Sequence, residues 1–427
     1  MKKLTMLIAA LLCASMLFSC AQDTATGTDT TPDTNAETDK VTDSVTGGTS
    51  DAQTETVTNA VTDAETDTVT DAVTDAETEP PMSDEEYKKE LMNKGFPESY
   101  AVLLCTLHKR FPEWQFNPIM ITDLSGGKYT WDYVIGKEIE DDENNTVYHT
   151  LEGVLDYAID TKPVESGIWF RAKPESVKFF MDPRNFLNEK NMFMFERLKG
   201  QSVYSTTAVE SLLEGTFMFR KNMGDEGSNM KYSECFVEVA KNLGISPLVI
   251  AARLRQEQGV NGTSPLISGT CGDTLWQYYS EKSNNAPASG YTEAQLKSYN
   301  GYYNFFNIQA TGNGYFEVFL AGMNEARQGG WTSKYKAVEG GAAKLKSRYI
   351  DDYQQTLYFQ KFNVDPRSGR NFWGQYMQAV HAAYDEARST YNAYRRVNLL
   401  NSEFIFDIPV YAGMPEAPCP DPGTRYS

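Results

Sequence analysis

The chain has 427 residues, of which 41% are hydrophobic and 23% are charged, and its formal net charge at pH 7 is −19. This acidic balance argues against a nucleic-acid partner, because binding phosphates requires a basic face. With three histidines and no CxxC or HExxH motif, the chain has little from which to build a zinc site or a Ser-His-Asp triad. We therefore expect no metal or cofactor, and any chemistry should come from carboxylates and aromatic side chains.

The first 19 residues have the pattern of an export signal. Lys2 and Lys3 precede an apolar run from Leu4 to Phe18, which is too short for a comfortable membrane span and has the length of a signal's hydrophobic region. The quartet LFSC at 17–20 resembles the lipobox of bacterial lipoproteins. By that resemblance Cys20 becomes a lipidated N-terminus that anchors the protein to a membrane; an ordinary cleaved signal is the alternative.

Residues 20–82 are predicted to form a disordered Thr/Asp-rich tether. Asp23 to Glu79 contain fifteen acidic residues and one lysine, and Thr56 to Glu79 nearly repeat every twelve residues. Such a composition offers too little apolar surface to offset the entropy of ordering the chain. The segment carries about −14 of the net charge, so residues 82–427 carry about −7.

Residues 83–230 are predicted to form an accessory α/β segment packed on the domain that follows. Its predicted elements begin with a helix over 84–112, a short strand at Trp114 and Phe116, and strand-like aromatic pieces between Ile119 and Arg171, such as Tyr129 to Val134. A break at Asp182 and Pro183 follows, and then a helix within 204–218 that is followed by a glycine stop at Gly215.

Residues 231–351 contain the clearest helix signals. Tyr232 to Leu243 form an amphipathic pattern that is closed by a glycine. A second helix follows at once: Ser246 suits the N-cap, Pro247 the first helical position, and Gly259 the position just past the C-terminus. The pattern predicts a helical hairpin.

Glu257 is the candidate catalytic residue of this second helix. Ile250, Leu254 and Glu257 fall at i, i+4 and i+7, so the carboxyl group ends an apolar stripe. Partial burial and the negative end of the helix dipole both disfavour the ionised form, which raises the pKa, as a general acid near neutrality requires. The alternative is a solvated glutamate beside Arg253 or Arg255.

The rest of the body is predicted to be mostly helical. Asn261 to Tyr299 are expected to form an irregular lobe that carries Trp276, and residues 352–427 a C-terminal extension of helix and strand. Gly340 and Gly341 are expected to allow close helix approach. The remaining predicted elements are helices over 317–328 and 334–349, a strand-like segment over 357–364, a long helix over 371–394 and a terminal strand over 404–411.

The segment Gly301 to Ala310, GYYNFFNIQA, is a dense aromatic cluster. Tyr302, Tyr303 and Phe305 could offer flat faces to the apolar faces of sugar rings, with hydroxyl tips free to hydrogen-bond. The alternative is that these rings pack against the helix that bears Glu257. Both roles are compatible.

Cysteine is sparse in the body of the chain. Cys105, Cys235, Cys271 and Cys419 are the cysteines beyond residue 20. A body of this length can build its core without disulfides. The sequence leaves open one bridge, two bridges or none.

Three motifs in order resemble a known family. RQEQG at 255–259, YYNFFNIQA at 302–310 and GWTSKYKAVEGGAAKL at 330–345 are similar to the catalytic domain of bacterial endo-β-N-acetylglucosaminidases that cut peptidoglycan, glycoside hydrolase family seventy-three. The upstream stretches GFPESYAVLLCTLHKRFPEWQF and MDPRNFL and the tail FIFDIPVYAGMP are similar to segments of that family too. The likeness spans nearly all of 84–427, in a lipoprotein form.

The resemblance implies a mainly α (α+β) fold, with a lysozyme-like helical catalytic domain at 231–351 and a small irregular or β lobe. It implies that Glu257 is the general acid at the end of its helix, and that a cleft lies between a helical and an irregular lobe. The substrate-binding residues would be Tyr302, Tyr303, Asn304, Phe305 and Trp276.

A second acidic residue belongs to many members of the family. Asp273 in the predicted irregular lobe is the first candidate, and Glu317 is an alternative that could instead lie on a helix surface. A third route needs no protein nucleophile, because the acetamido oxygen of the substrate attacks the anomeric carbon. The stereochemical outcome stays open, since the separation of two carboxylates decides it.

By this resemblance the protein is a hydrolase that cleaves the β-1,4 bond on the reducing side of N-acetylglucosamine in cell-wall glycan. We expect a monomer on the outer face of the cell membrane, anchored through Cys20 and reaching the wall. A muramidase or lytic transglycosylase on the same fold is one alternative. A wall-binding lipoprotein without turnover is the other.

Overall fold

The computed structural model describes residues 82–122, 129–140, 145–148, 153–165, 168–200, 203–225, 228–283 and 290–426. The predicted signal, nearly all of the tether and Cys20 lie outside these residues. From Ser83 onward the described residues belong to one compact unit.

The first helical region consists of two helices, α1 (Asp84–Lys94) and α2 (Glu98–Arg110). The prediction of one helix over 84–112 is therefore wrong. Gly95 ends α1 with a φ of 113°, a left-handed conformation that glycine adopts without a Cβ clash. Pro97 then stands at the N-cap of α2, where its lack of a backbone N–H disturbs no helical hydrogen bond.

A parallel pair of strands joins the two ends of the body. Strand β1 (Gln115–Ile121) pairs with the last strand of the chain, Ile405–Tyr411, in a register that runs from Gln115 opposite Ile405 to Ile121 opposite Tyr411. The predicted strands at both places are confirmed. Trp114, Phe193 and Phe406 pack beside this pair with ring centroids 4.9 to 5.6 Å apart.

The region between 119 and 171 contains a helix and a small sheet. Helix α3 (Trp131–Glu140) occupies residues that were predicted to be strand-like, so that prediction is wrong. Trp131, Val134, Ile135 and Glu138 are its buried residues, which is a helical spacing that aromatic content concealed. An antiparallel sheet follows, in the order β2 (Thr146–Tyr148), β4 (Trp169–Ala172), β3 (Ala158–Glu165).

The helices that lead to the candidate site follow the sequence signals closely. Helix α4 (Pro174–Met181) ends at Asp182, where the predicted break lies. Helix α5 (Thr206–Leu213) lies within the predicted 204–218 and ends just before the predicted stop at Gly215. Helix α6 (Tyr232–Leu243) ends at Gly244 in a left-handed conformation, and α7 (Pro247–Gln258) follows immediately. The predicted helical hairpin is confirmed.

Within residues 261–299, the described residues, 261–283 and 290–299, are largely helical, and the predicted irregular lobe is wrong in that respect. Helix α8 (Cys271–Ser283) and the short helix α9 (Glu293–Lys297) lie here. Two further helices, α10 (Tyr315–Gln328) and α11 (Lys334–Arg348), match the predicted ones within two residues. A Cβ atom added at Gly341 would overlap the Phe306 ring, and one added at Gly340 would overlap the Trp331 ring. Both rings belong to segments outside the helices, so these glycines make room for neighbouring rings rather than for the expected close helix approach.

The C-terminal extension departs most from its prediction. Residues 357–364 were predicted to be strand-like but form helix α12 (Leu357–Phe362), in which all six residues are buried. Burial on every side removes the periodicity that distinguishes helix from strand. The predicted helix over 371–394 begins only at α13 (Ala382–Arg396). Phe372, Gly374 and Met377 adopt positive φ angles, which a helix does not tolerate.

One hydrophobic core extends from Tyr87 near the start of the body to Cys419 near its end. Strand β5 (Ile405–Tyr411) and α13 therefore belong to the same core as the predicted catalytic domain. The fold is mainly α with a small β part, as predicted. Within the residues described above, the cysteines at 105, 235, 271 and 419 are free thiols.

Candidate active site

Helix α7 carries Glu257 in its last turn. Ser246 is its N-cap with extended φ/ψ angles of −65° and 130°, and Pro247 occupies the first turn. Gly259 follows the helix with φ 62° and ψ −169°, a region of backbone conformation open essentially to glycine alone. The predicted boundaries of the helix are confirmed.

The carboxyl group of Glu257 lies at the end of a buried stripe. Ile250 and Leu254 are fully buried, and Glu257 is partly buried. Burial raises the pKa of Glu257 above its usual value. Hydrogen bonds from Asn307 and Tyr376 and the positive charge of Arg253 offset part of that rise. Glu257 is not the solvated surface residue of the alternative reading.

Two donors fix the orientation of the Glu257 carboxyl group. Asn307 Nδ2 donates to Oε2 at 2.9 Å and to the backbone carbonyl of Glu257 at 3.1 Å. The Tyr376 hydroxyl lies 3.2 Å from Oε1 and 3.1 Å from Oε1 of Gln256. Because the amide of Asn307 can only donate to Oε2, a proton on the carboxyl group is expected at Oε1.

Asn307 is itself held in place. Gln258 Nε2 donates to Asn307 Oδ1 at 3.2 Å and to the Phe305 carbonyl at 2.6 Å. The acceptor role of Oδ1 leaves Nδ2 as the atom that faces Glu257. Asn307 has a φ of 50°, a left-handed conformation that asparagine adopts more readily than most residues.

Arg253 lies one turn before Glu257 and holds the ring of Tyr376. Its guanidinium carbon is 3.6 Å from the centroid of that ring, a close cation–π arrangement. The Arg253 side chain is buried, forms an ion pair with Glu386 on α13 and donates to Gln360 on α12. Through this arginine the C-terminal extension is tied to the helix of the candidate acid.

The aromatic block contains partly buried residues and fully buried residues. Tyr302 and Tyr303 are partly buried, and Tyr303 borders a cavity of about 520 Å³ that Asp225 and Tyr335 also line. Asn304 and Phe305 are fully buried. Glu257 is not among the residues that line this cavity, so the cleft that the resemblance implies beside Glu257 stays a prediction.

The prediction that Asn304 and Phe305 bind substrate needs correction. Asn304 Nδ2 donates to the carbonyls of Ile308 and Gly322 at 2.9 and 3.0 Å, and its Oδ1 accepts from the Ile308 N–H at 3.0 Å. This amide therefore shapes the loop. The Phe305 ring lies in the core, with its centroid 6.2 Å from that of Tyr232.

Asp273 and Trp276 both lie on α8. Asp273 is in the first turn, with about half of its side chain exposed, and Lys297 Nζ is 3.9 Å from its carboxylate. Trp276 is partly buried and packs on Tyr279. Glu317 is exposed and accepts a hydrogen bond from the Asn313 N–H. Neither Asp273 nor Glu317 takes part in the hydrogen bonds to Glu257 described above.

The residues around Glu257 that the sequence did not reveal are Asn307, Arg253, Tyr376 and Glu386. Asn307 is one of two asparagines in the aromatic block, and the sequence singled out the other, Asn304. Arg253 was considered only as a neighbour of a solvated glutamate. Tyr376 and Glu386 lie more than one hundred residues along the chain, and no local pattern links them to α7.

No three histidine, cysteine or carboxylate side chains lie together as a candidate metal site among the residues placed by the structure. In that same part of the chain, no helix has the length and apolar character needed to cross a membrane.

Comparison with known proteins shows that this chain is similar in sequence to bacterial autolysins. Over 245 residues the chain is 26% identical to the bifunctional autolysin of Staphylococcus epidermidis, a match that covers 57% of this chain and 16% of the relative. Over 294 residues it is 27% identical to the bifunctional autolysin of Staphylococcus aureus, covering 67% and 20%. The chain is homologous to bacterial autolysins. This homology confirms the recognition made from the motifs, except for the lipoprotein form, which stays a prediction.

The chain spans only about a fifth of the length of these autolysins. No protein-family model matches it. Among solved structures it is similar to a major bifunctional autolysin and to glucosaminidase B of S. aureus, at 22% and 18% identity. Each likeness covers 70% of this chain, and 98% and 93% of the two solved chains, with a TM-score of 0.43 in both cases.

Proposed function

We propose that this protein is a peptidoglycan hydrolase that cleaves the β-1,4 bond on the reducing side of N-acetylglucosamine, with Glu257 as the general acid. The observation that carries the proposal is the Glu257 carboxyl group itself. It lies at a helix end, burial raises its pKa, and two donors from distant parts of the chain hold it. Such a group can remain protonated closer to neutrality than an exposed glutamate.

The geometry supports proton donation from Oε1. Asn307 occupies Oε2 as a donor, so the transferable proton resides on the oxygen that faces Tyr376. When the proton passes to the leaving glycosidic oxygen, the carboxylate that forms accepts from both Asn307 and Tyr376. These hydrogen bonds strengthen as charge develops, so they stabilise the transition state more than the ground state.

The Tyr376 hydroxyl has a second acceptor available while Glu257 is protonated. Its single O–H can turn to Gln256 Oε1, 3.1 Å away, and return to Glu257 when the acid ionises. A rotation of the Tyr376 hydroxyl therefore supplies a hydrogen bond to the new carboxylate without movement of the backbone.

The second step of hydrolysis stays open between two routes. Asp273 is exposed on α8 and outside the hydrogen bonds of Glu257, so nothing in the geometry favours it as a base or nucleophile. Attack by the acetamido oxygen of the substrate needs no second carboxylate in the protein. The spacing rule for paired carboxylates applies only to the first route.

The homology to proteins named bifunctional autolysins supports a cell-wall glycan as the substrate. An export signal followed by a lipidated Cys20 would hold the protein at the outer face of the membrane. The acidic tether would let its body reach the wall. We propose that it acts there as a monomer.

Product chemistry tests the bond that is cut. Purified peptidoglycan is digested with the protein, and the soluble fragments are reduced with borohydride and analysed by mass spectrometry. The proposal predicts fragments that end in reduced N-acetylglucosamine. A reduced N-acetylmuramic acid end would identify a muramidase, and an anhydro end a lytic transglycosylase. Glycan binding without any new ends would identify a wall-binding protein.

A further inference from the structure

A closed ring of polar side chains, three of them buried and the fourth, Gln375, partly buried, adjoins Tyr376. Gln375 Nε2 donates to both carboxylate oxygens of Glu138 at 2.9 Å, and Lys361 Nζ donates to Gln375 Oε1 at 3.2 Å. Lys361 also donates to Asn145 Oδ1 at 3.3 Å, and Asn145 Nδ2 donates to the backbone carbonyl of Glu138 at 2.7 Å. Glu138 and Lys361 are each 1% exposed.

The amide of Gln375 fits its place in this ring better than other side chains would. Its N–H groups face the Glu138 carboxylate and the Phe362 carbonyl, while its oxygen faces the Lys361 ammonium. A carboxylate at this position would face Glu138 with like charge, and an ammonium would face Lys361. Because isolated buried charges are costly, this matching of donors and acceptors fixes the position of Gln375.

Tyr376 follows Gln375 directly in the chain, so the position of Gln375 restricts the position of Tyr376. The Tyr376 N–H donates to the Gln360 carbonyl at 2.7 Å, and its ring stacks on Arg253. The neighbouring residues Phe372 and Met377 hold positive φ angles of 63° and 75°. Such angles are unfavourable for these side chains, so the backbone keeps this path only while the surrounding contacts impose it.

We propose that Glu138 is a positioning residue for the general acid: it fixes Gln375, and through it the Tyr376 hydroxyl that contacts Glu257. The inference rests on the proposed function of Glu257. Glu138 lies on α3 in the predicted accessory segment, and Gln375 and Tyr376 lie in the predicted C-terminal extension. The site at Glu257 is therefore completed by both regions outside residues 231–351.

Loss of the Glu138 carboxylate has a defined consequence. Without this acceptor, the Gln375 amide loses its two 2.9 Å hydrogen bonds and keeps the longer ones with Lys361 and the Phe362 carbonyl, at 3.2 and 3.3 Å. The 372–377 segment then loosens, so the Tyr376 hydroxyl donates to Glu257 less of the time. The donation favours the ionised form of Glu257. Its loss therefore raises the pKa of Glu257 further and weakens stabilisation of the carboxylate that forms during proton transfer.

The test compares Glu138→Ala with Glu140→Ala. Glu140 is on the same helix, but its side chain is 68% exposed and pairs only with Lys137 among the contacts described here. Gln375→Ala is the second variant, because it interrupts the same ring at a less buried point. Thermal unfolding establishes which variants are folded. The pKa of Glu257 is then followed by ¹³C NMR of labelled glutamate, with its resonance assigned by its absence in Glu257→Gln.

We expect Glu138→Ala to raise the pKa of Glu257 and to lower kcat on peptidoglycan roughly tenfold, which is the effect of losing a hydrogen bond to a charged group. If Glu138→Ala does not fold, Gln375→Ala is expected to have the same two effects. KM should change less than kcat. Glu140→Ala should match the wild type in all respects. An unchanged titration of Glu257 in a folded ring variant would overturn the positioning role.

The NMR titration does not depend on turnover, so the two proposals fail in different ways. Absence of cleavage by the wild-type protein would reject the proposed function. The titration of Glu257 in the ring variants would still test whether Glu138 affects the pKa of Glu257. Normal cleavage with equal titrations in the wild type and the folded ring variants would reject only the role of Glu138.

Discussion

At the scale of the residue, the local sequence pattern predicted the environment of Glu257 but not its hydrogen-bond partners. The spacing of Ile250, Leu254 and Glu257 predicted partial burial and a raised pKa, and both are found. Asn307 and Tyr376 were not predicted as its partners. Their contacts depend on how loops fold back onto α7, and no periodicity encodes that.

Tyr376→Phe removes the hydroxyl that donates to Glu257 while keeping the ring on Arg253. Since this hydrogen bond lowers the pKa of Glu257, its loss raises that pKa. The acid then stays protonated to higher pH, and the alkaline limb of the kcat profile should move upward. kcat at its optimum should fall roughly tenfold. The measurement is a pH–rate profile on solubilised wall fragments.

Tyr353→Phe is the matched control, because Tyr353 is exposed and has no part in the hydrogen bonds to Glu257 described above. Its profile should coincide with that of the wild type. An alkaline limb of Tyr376→Phe that stays in place or moves to lower pH would show that the tyrosine does not act on the ionisation of Glu257.

At the scale of the element, cap residues predicted helices better than composition did. Ser246, Pro247 and Gly259 defined α7, and a glycine closed α6 where expected. The errors fall where burial is complete or where positive φ angles interrupt the chain, as in α12 and residues 372–377. A helix buried on all sides has no polar face, so its sequence resembles a buried strand.

Gly341→Ala tests the packing of α11 against the aromatic block. The added Cβ would overlap the Phe306 ring, which is itself buried. Overpacking of this kind destabilises a core by about 1–3 kcal/mol. Gly136→Ala on α3 is the control, because nothing lies within 4 Å of the Cβ position there, and alanine favours a helix by about 1 kcal/mol.

Urea denaturation of both variants gives the comparison. Gly341→Ala should lower the free energy of unfolding, and Gly136→Ala should leave it unchanged or raise it slightly. Equal stability of the two variants would contradict the close approach of α11 to Phe306.

At the scale of the whole molecule, the predicted accessory segment, catalytic domain and extension all contribute side chains to one large hydrophobic core. Strand β1 pairs with β5 across nearly three hundred residues, and Glu138 reaches the segment beside Glu257. A single sequence shows each of these pieces but not their pairing, because parallel strands and buried side-chain networks leave no local signal.

Glu196, which is buried in the body, is expected to make the free energy of unfolding depend on pH. Its carboxyl group is buried, with Tyr394 as a donor, and burial raises its pKa from 4.5 to about 8. Between these values the folded state keeps a proton that the unfolded state releases. The free energy of unfolding should therefore fall as pH rises through this window, by up to about 1.4 kcal/mol per pH unit.

Glu196→Gln imitates the protonated form and should remove that part of the slope. Urea unfolding between pH 5 and 8 measures it, with Glu140→Gln as an exposed control. If the wild type and Glu196→Gln lost stability equally over this range, the buried carboxyl group would not be the source of the dependence.

The central claim is that the buried Glu257 donates the proton that breaks the glycan. The most direct measurement is the rate of fragment release from purified peptidoglycan by Glu257→Gln, beside Asp273→Asn and the wild type, with folding verified by thermal unfolding. We predict that Glu257→Gln lowers the rate of fragment release by about a hundredfold to ten-thousandfold. The fragments released by the wild type should end in reduced N-acetylglucosamine. Release by folded Glu257→Gln at the wild-type rate would contradict the claim.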